Sequence, residues 1–290
     1  MRWEGERESS EVEDRRGMRI GRGSAVIGGG GLVLVLLFSM LTGADPRQVL
    51  EIAQGVSNVG AGAPDEQQAG PMGAPTDASG RFAAVVLGST EDVWGEIFAE
   101  KGRRYERPRL VLFSDAVQSA CGTAQSAVGP FYCPNDSQVY LDLSFFQELE
   151  QRFGAPGDFA RAYVIAHEIG HHVQNQLGLA EKVSAAQRNG SREEANALSV
   201  RMELQADCLA GVWGNRANRE RNWLDPGDIE AGLAAAAAIG DDTLQRKSGG
   251  SVQPESWTHG SSAMRQRWLR AGLDSGDVDA CQTFAEGGLP

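Results

Sequence analysis

His167, Glu168 and His171 stand in the spacing H-E-x-x-H within ARAYVIAHEIGHHVQNQL, residues 160–177. Residues four apart on a helix lie about 40° from each other around the axis and roughly 6 Å along it. Two imidazoles so placed can reach one metal ion from the same face, with Glu168 beside them. Zinc suits such a pair, because it takes imidazole nitrogen and carboxylate oxygen and can keep one position open for water. Water activated there attacks near neutral pH, and a neighbouring carboxylate can carry its proton to a leaving amine. The plainer reading is an amphipathic helix with two solvated histidines. Phe159, Ala162, Tyr163, Val164, Ile165 and Ala166 argue against it, since they take the helix into a core where unpaired histidines are costly.

A catalytic zinc needs a third protein ligand, and Glu203 in ELQAD supplies a carboxylate on a second expected helix. Asp207, one turn later, is placed to accept the free N–H of a ligating imidazole and fix its tautomer. A solvated helix face is the alternative for both acids, but Met202, Leu204, Ala206, Cys208, Leu209 and Val212 surround them. His259, in THGSS ahead of a helix expected over residues 263–273, is a candidate donor to the oxyanion of a tetrahedral intermediate. An incidental histidine in a capping loop explains it equally well. His172 lies about 100° from His171 around the helix and reads as packed or solvent-facing rather than as a ligand.

With these residues in hand, HEIGHHVQNQLG, ELQADCLAGVW and THGSSAMRQRW resemble the neutral zinc metallopeptidase family of bacteria. The opening RWEGERESSEVEDRRG, ahead of an apolar segment, resembles that family's N-terminus as well. The resemblance covers nearly the whole chain except the region around residues 55–80. It implies a zinc peptidase of the H-E-x-x-H plus E-x-x-x-D type, similar to the gluzincins, with a membrane anchor that is not cleaved. Carried across, it makes His167, His171 and Glu203 ligands of one zinc ion and Glu168 the catalytic base.

These residues need elements to hold them. The expected fold class is α+β and mainly helical, a zincin-like catalytic domain with a small β-sheet beside the active-site helix. Asp158 opens that helix and Gly178 closes it. RLVLF (residues 109–113) and QVYLDL (138–143) read as strands, and GPFYCPND between them as a turn-rich piece. The edge of such a sheet can take an extended peptide as an added strand, with Gly129, Pro130, Phe131, Tyr132, Val139 and Tyr140 as candidates to line the cleft. A helix over residues 90–101 is capped by Ser89 or Thr90, and another over 144–153 precedes the zinc helix. Residues 179–190 read as a polar connection. Ser191 and Glu194 form a capping box that opens the ligand helix, which runs to about Asn215. Asp225–Pro226 caps the alanine-rich helix that extends to Ile239.

The net charge of the 290-residue chain is -12, and the part from Arg81 onward holds 20 basic against 28 acidic residues. That balance argues against nucleic acid, whose phosphates need a basic surface. Cys121, Cys133, Cys208 and Cys281 lack C-x-x-C spacing, so a structural zinc or thioredoxin-type motif is not expected. Four buried free thiols are one reading. The other is two disulfides, Cys121–Cys133 closing a hairpin and Cys208–Cys281 tying the ligand helix to the C-terminal region.

Location bears on that choice. Residues 1–22 end in a run of arginines, and no charged residue occurs from Gly23 to Ala44, about enough to cross a bilayer. The expectation is a cytoplasmic tail over 1–22, a transmembrane anchor over 23–44, a flexible Gly/Ala/Pro-rich linker over 45–80 and an extracytoplasmic catalytic domain over 81–290. A cleaved signal peptide ending near Ala44 is the rival reading. Either places the cysteines in an oxidising compartment at the bacterial plasma membrane, which favours disulfides. Peptide or protein is the expected substrate. A non-catalytic zinc-stapled binding module and a zinc amidase acting on cell-wall peptides stay open.

Overall fold

The computed structural model describes residues 1–18 and 70–285. In chain order the elements are β1 (Val12–Asp14), α1 (Ala78–Glu100), β2 (Arg109–Phe113), β3 (Ala116–Ser119), β4 (Gly122–Gln125), β5 (Phe131–Cys133) and β6 (Gln138–Asp142). Then come α2 (Ser144–Gln151), α3 (Asp158–Gln176), α4 (Leu179–Asn189), α5 (Arg192–Arg221), α6 (Asp228–Ala238), α7 (Asp241–Lys247) and α8 (Ser262–Ser275). The chain is thus α+β and mainly helical, as expected. One sheet has the order β1-β2-β6-β5, parallel except for β5, and β3 and β4 form a separate antiparallel hairpin.

Helix α3 is buried on nearly every side, from Phe159 through Val173, so the zinc-motif residues sit inside the core. Two close approaches set the neighbours around it. A Cβ on Gly170, between the two motif histidines, would lie 3.0 Å from the Ala206 backbone, so α3 and α5 meet there almost backbone to backbone. Gly211 of α5 and Gly272 of α8 do the same for the next pair. Added Cβ atoms there would come within 2.2 Å of Leu269 O and 2.0 Å of Cys208 O. Small residues at these crossings draw three helices together.

Both expected disulfides are formed, Cys121–Cys133 and Cys208–Cys281. The capping box is present, with Ser191 accepting from the Glu194 amide and Glu194 accepting from the Ser191 amide. Several boundaries differ from the sequence reading. Helix α1 starts at Asp77, whose carboxylate accepts from the Gly80 amide as its cap, not at Ser89 or Thr90; Gly88 lies inside the helix, where the backbone of Arg7 crosses it. Residues 131–133 of the expected turn form strand β5. Residues 179–189, expected as a polar connection, are helix α4, which buries only Val183.

The largest correction concerns the N-terminus. Residues 1–18 are not a separate tail, and the folded body does not begin at Arg81. Val12 to Asp14 pair in parallel with Leu110 to Leu112, and Val12 is wholly buried in the main core. Ser9 N donates to Ala84 O, Arg15 N to Leu112 O, and Gly73 N to Val12 O. Glu13, with no exposure, accepts from Arg15, Arg109 and the Gly70 amide. The segment read as a separate tail because charges dominate its composition, but those charges pair within it, as Arg15 with Glu13, and with the body, as Arg7 with Glu91 and Arg2 with Asp225. The expected anchor over 23–44 and most of the linker lie outside the described residues. Among the described residues, no helix is long and apolar enough to cross a membrane.

Candidate metal centre

Helix α3 presents His167 and His171 on one face, and α5 presents Glu203 opposite them. One ligand atom from each lies within 4.8 Å of the others. His167 Nε2 is 3.1 Å from Glu203 Oε2, and His171 Nε2 is 3.4 Å from Glu203 Oε1. The opposite ring nitrogens are tied elsewhere. His167 Nδ1 sits 2.9 Å from Asp207 Oδ1, and His171 Nδ1 sits 2.9 Å from Gln174 Oε1. Two Nε2 atoms and a carboxylate, converging with their outer sides held, are a donor set that fits zinc.

Asp207 is fully buried and bonded from three directions. Besides His167, it accepts from Tyr163 Oη at 2.6 Å, from Arg265 Nε at 2.8 Å and from Arg265 Nη2 at 2.9 Å. Burial alone would raise its carboxyl, but the Arg265 guanidinium and His167 bring it down to about 2. Burial opposes charge on His167 too, yet Asp207 and then Glu203 raise it to about 10. Glu203 is held far below the usual carboxylate range, against burial, by His171, His259 and His167. Glu168, adjacent in sequence to His167, moves the other way. Its burial raises the carboxyl, partly offset by the two histidines.

The sequence-expected residues therefore meet as follows. His167, His171 and Glu203 come together, Glu168 lies beside the histidines, and Asp207 holds His167. His259 is outside the three-ligand cluster but close enough for its charge to act on Glu203. Its loop hangs on the buried Asp241, whose Oδ2 accepts from the backbone N–H of Thr258, His259 and Gly260 at 2.7–2.9 Å. Burial lowers the His259 imidazole, but Glu203 and Asp241 raise it. His172 is packed, not ligating: Nε2 lies 2.7 Å from Glu106 O and Nδ1 3.1 Å from Tyr132 Oη. Of the cleft candidates, Val139 and Tyr140 are core residues, and Phe131 stacks on Tyr140.

Four residues escaped the sequence reading: Tyr163, Gln174, Asp241 and Arg265. Tyr163 and Gln174 carry a usable signal, being four residues before His167 and three after His171 on one helix. Arg265 and Asp241 come from distant elements, and no local pattern marks them.

Comparison with known proteins agrees with the geometry. Residues 1–284 match the family described as "Putative neutral zinc metallopeptidase". The chain is 44% identical over 302 residues to the uncharacterized protein YpfJ of Escherichia coli K12, with 99% of each chain covered. It is 47% identical over 195 residues to the uncharacterized proteins Mb2605 of Mycobacterium bovis and Rv2575 of Mycobacterium tuberculosis H37Rv, covering 64% of this chain and 65% of each of those. No solved structure matches. The motif, the converging ligand atoms and the match along nearly its whole length place one conclusion beyond the residues themselves: the chain belongs to the neutral zinc metallopeptidase family.

Proposed function

We propose that the protein is a zinc-dependent peptidase with a zincin-like site. His167, His171 and Glu203 hold one metal ion, and Glu168 is the general base. The convergence of both histidine Nε2 atoms on Glu203, with each Nδ1 tied elsewhere, carries this reading. Zinc bound there supplies a Lewis acid that makes water a competent nucleophile near neutral pH. Glu168 takes a proton from the attacking water at its carboxylate and returns it to the departing amine nitrogen. Its burial, which raises its carboxyl, suits both halves of that exchange. His259, whose charge reaches the ligand carboxylate, donates from its ring to the peptide oxygen as negative charge develops there.

An extended peptide is the substrate that the neighbouring strand favours. Among the described residues β5 is the last strand of its sheet, and its Tyr132 backbone interacts with the Glu168 carboxylate. A peptide added along that free edge passes over the catalytic glutamate. The two disulfides favour work in an oxidising compartment outside the cytoplasm.

The test is cleavage of a quenched-peptide library by the full chain beside its Glu168→Gln variant, with zinc content measured in both. Turnover is expected only from the unaltered protein, with equal zinc in each. Undiminished turnover by Glu168→Gln ends this assignment.

A further inference from the structure

The two ligand histidines are held by different chemistry. His167 has a carboxylate neutralised by Arg265, whereas His171 has a neutral amide. We propose that Gln174 and Gln205 form a directional relay that fixes the proton on His171 Nδ1 and so offers Nε2 to the metal. This rests on the zinc reading of the site.

The relay starts at a group whose role cannot change. The backbone carbonyl of Cys281 can only accept, so the Gln205 amide nitrogen faces it at 3.0 Å. Gln205 Oε1 is then turned to Gln174 Nε2 at 3.1 Å, and the same nitrogen donates to Met202 O at 2.8 Å. Two acceptors therefore hold the Gln174 NH2 group, which leaves its oxygen for His171 Nδ1 at 2.9 Å. An amide oxygen cannot donate, so Nδ1 carries the hydrogen. Gln174 has no exposure, so water cannot substitute for these partners.

The neutral amide also balances charge. Asp207 and Arg265 offset each other, and Glu203 with Glu168 matches a doubly charged ion. A third uncompensated carboxylate at position 174 would overfill the site. The origin of the relay is secured covalently, because Cys281 is bonded to Cys208 on the helix that carries Glu203. Opening that disulfide frees the carbonyl that orients Gln205, and it therefore loosens the hold on His171.

Zinc affinity by chelator competition, with histidine 15N spectra of the zinc-loaded full chain, tests the relay. The expected spectrum shows His171 bound through Nε2 with a slowly exchanging Nδ1–H. Gln174→Met is expected to lose roughly 10- to 100-fold in zinc affinity. Gln205→Met and a Cys208→Ala/Cys281→Ala pair each lose a smaller, measurable factor. Unchanged affinity in a folded Gln174→Met overturns the proposal, as does coordination of His171 through Nδ1. The spectrum of the unaltered protein decides the matter if the variant does not fold. Failure of the unaltered protein to bind zinc removes the metal reading itself, a different result from unchanged affinity in the variant.

Strand β1 carries a second inference independently. Residues 1–18 and 70–285 are one folded body, joined by the β1–β2 ladder and by the hydrogen bonds from Asp14 N to Pro71 O and Gly73 N to Val12 O. A single membrane crossing between them would leave the two parts on opposite sides of the bilayer. Two crossings need about 40 apolar residues, and the uncharged stretch from Gly23 to Ala44 is long enough for about one. We infer that residues 1–18 and 70–285 occupy the same compartment, against the single-pass topology that hydropathy suggests.

Cysteines placed at exposed Ser10 and Ser251, one per variant, can be labelled in spheroplasts with a membrane-impermeant maleimide before and after lysis. Identical behaviour of the two sites is expected. Labelling of one before lysis and the other only after lysis overturns the inference.

Discussion

Asp207 sits between a histidine and an arginine without access to solvent. Removing the arginine strands a buried carboxylate, so Arg265→Met should destabilise the zinc-free protein by about 3–5 kcal/mol. Tyr163→Phe removes one hydrogen bond to the same carboxylate and should cost about 1.5–3 kcal/mol. Chemical denaturation of both variants checks the order, and equal losses would contradict it. His259→Ala should lower kcat by about 10²- to 10³-fold with zinc content unchanged, since the side chain lies outside the ligand cluster. A loss of zinc in that variant would instead make His259 part of the metal's hold. At this scale the sequence was most legible where chemistry is local. H-E-x-x-H and E-x-x-x-D each sit on one helix and announce themselves by spacing. Arg265 and Asp241 act across 58 residues and 18 residues respectively, and no helical period connects them to their partners.

The elements come together at glycines. Gly272→Ala would push a methyl group into the Cys208 carbonyl, and both are backbone atoms that cannot swing away. A loss of about 3 kcal/mol or more is expected in thermal unfolding, near or above the usual cost of overpacking. Gly170→Ala meets a looser contact at Ala206, so its expected effect is a smaller stability loss with weakened zinc affinity as α3 and α5 part. Strand β1 brings a pH dependence. Burial opposes charge on Glu13, but Arg15, the Gly70 amide and Arg109 lower its carboxyl below the ordinary glutamate range. A depressed carboxyl stabilises fully above its unfolded value and loses that contribution as pH falls through the folded one. Hydrogen-exchange protection factors of residues 1–18, corrected for the intrinsic rate at each pH, should therefore fall on acidification below the ordinary glutamate range, ahead of those in α3. Elements with a wide apolar face, such as β2, β6 and α3, were readable from sequence. Helix α4 was not, because one buried valine leaves almost no period to read.

For the molecule as a whole, the disulfide Cys208–Cys281 closes a loop of 73 residues and Cys121–Cys133 one of 12. Loop entropy assigns the first about 4 kcal/mol and the second about 3. Paired alanine substitutions should therefore lower Tm more at the longer loop. The mainly helical α+β class and the meeting of His167, His171 and Glu203 were legible from sequence, but the extent of the folded body was not, because β1 pairs with a strand 98 positions away. That pairing also governs how the sheet meets other molecules. Without residues 1–18, the outer edge of β2 loses its partner, and RLVLF, with four of its five residues buried, is laid open along one side. An unpaired apolar edge templates the addition of further strands. A shortened chain beginning at Arg81 should therefore associate into larger assemblies than the full chain or precipitate, and a peptide of residues 1–18 should suppress that association. The segment that reads as a tail is what keeps this sheet from polymerising.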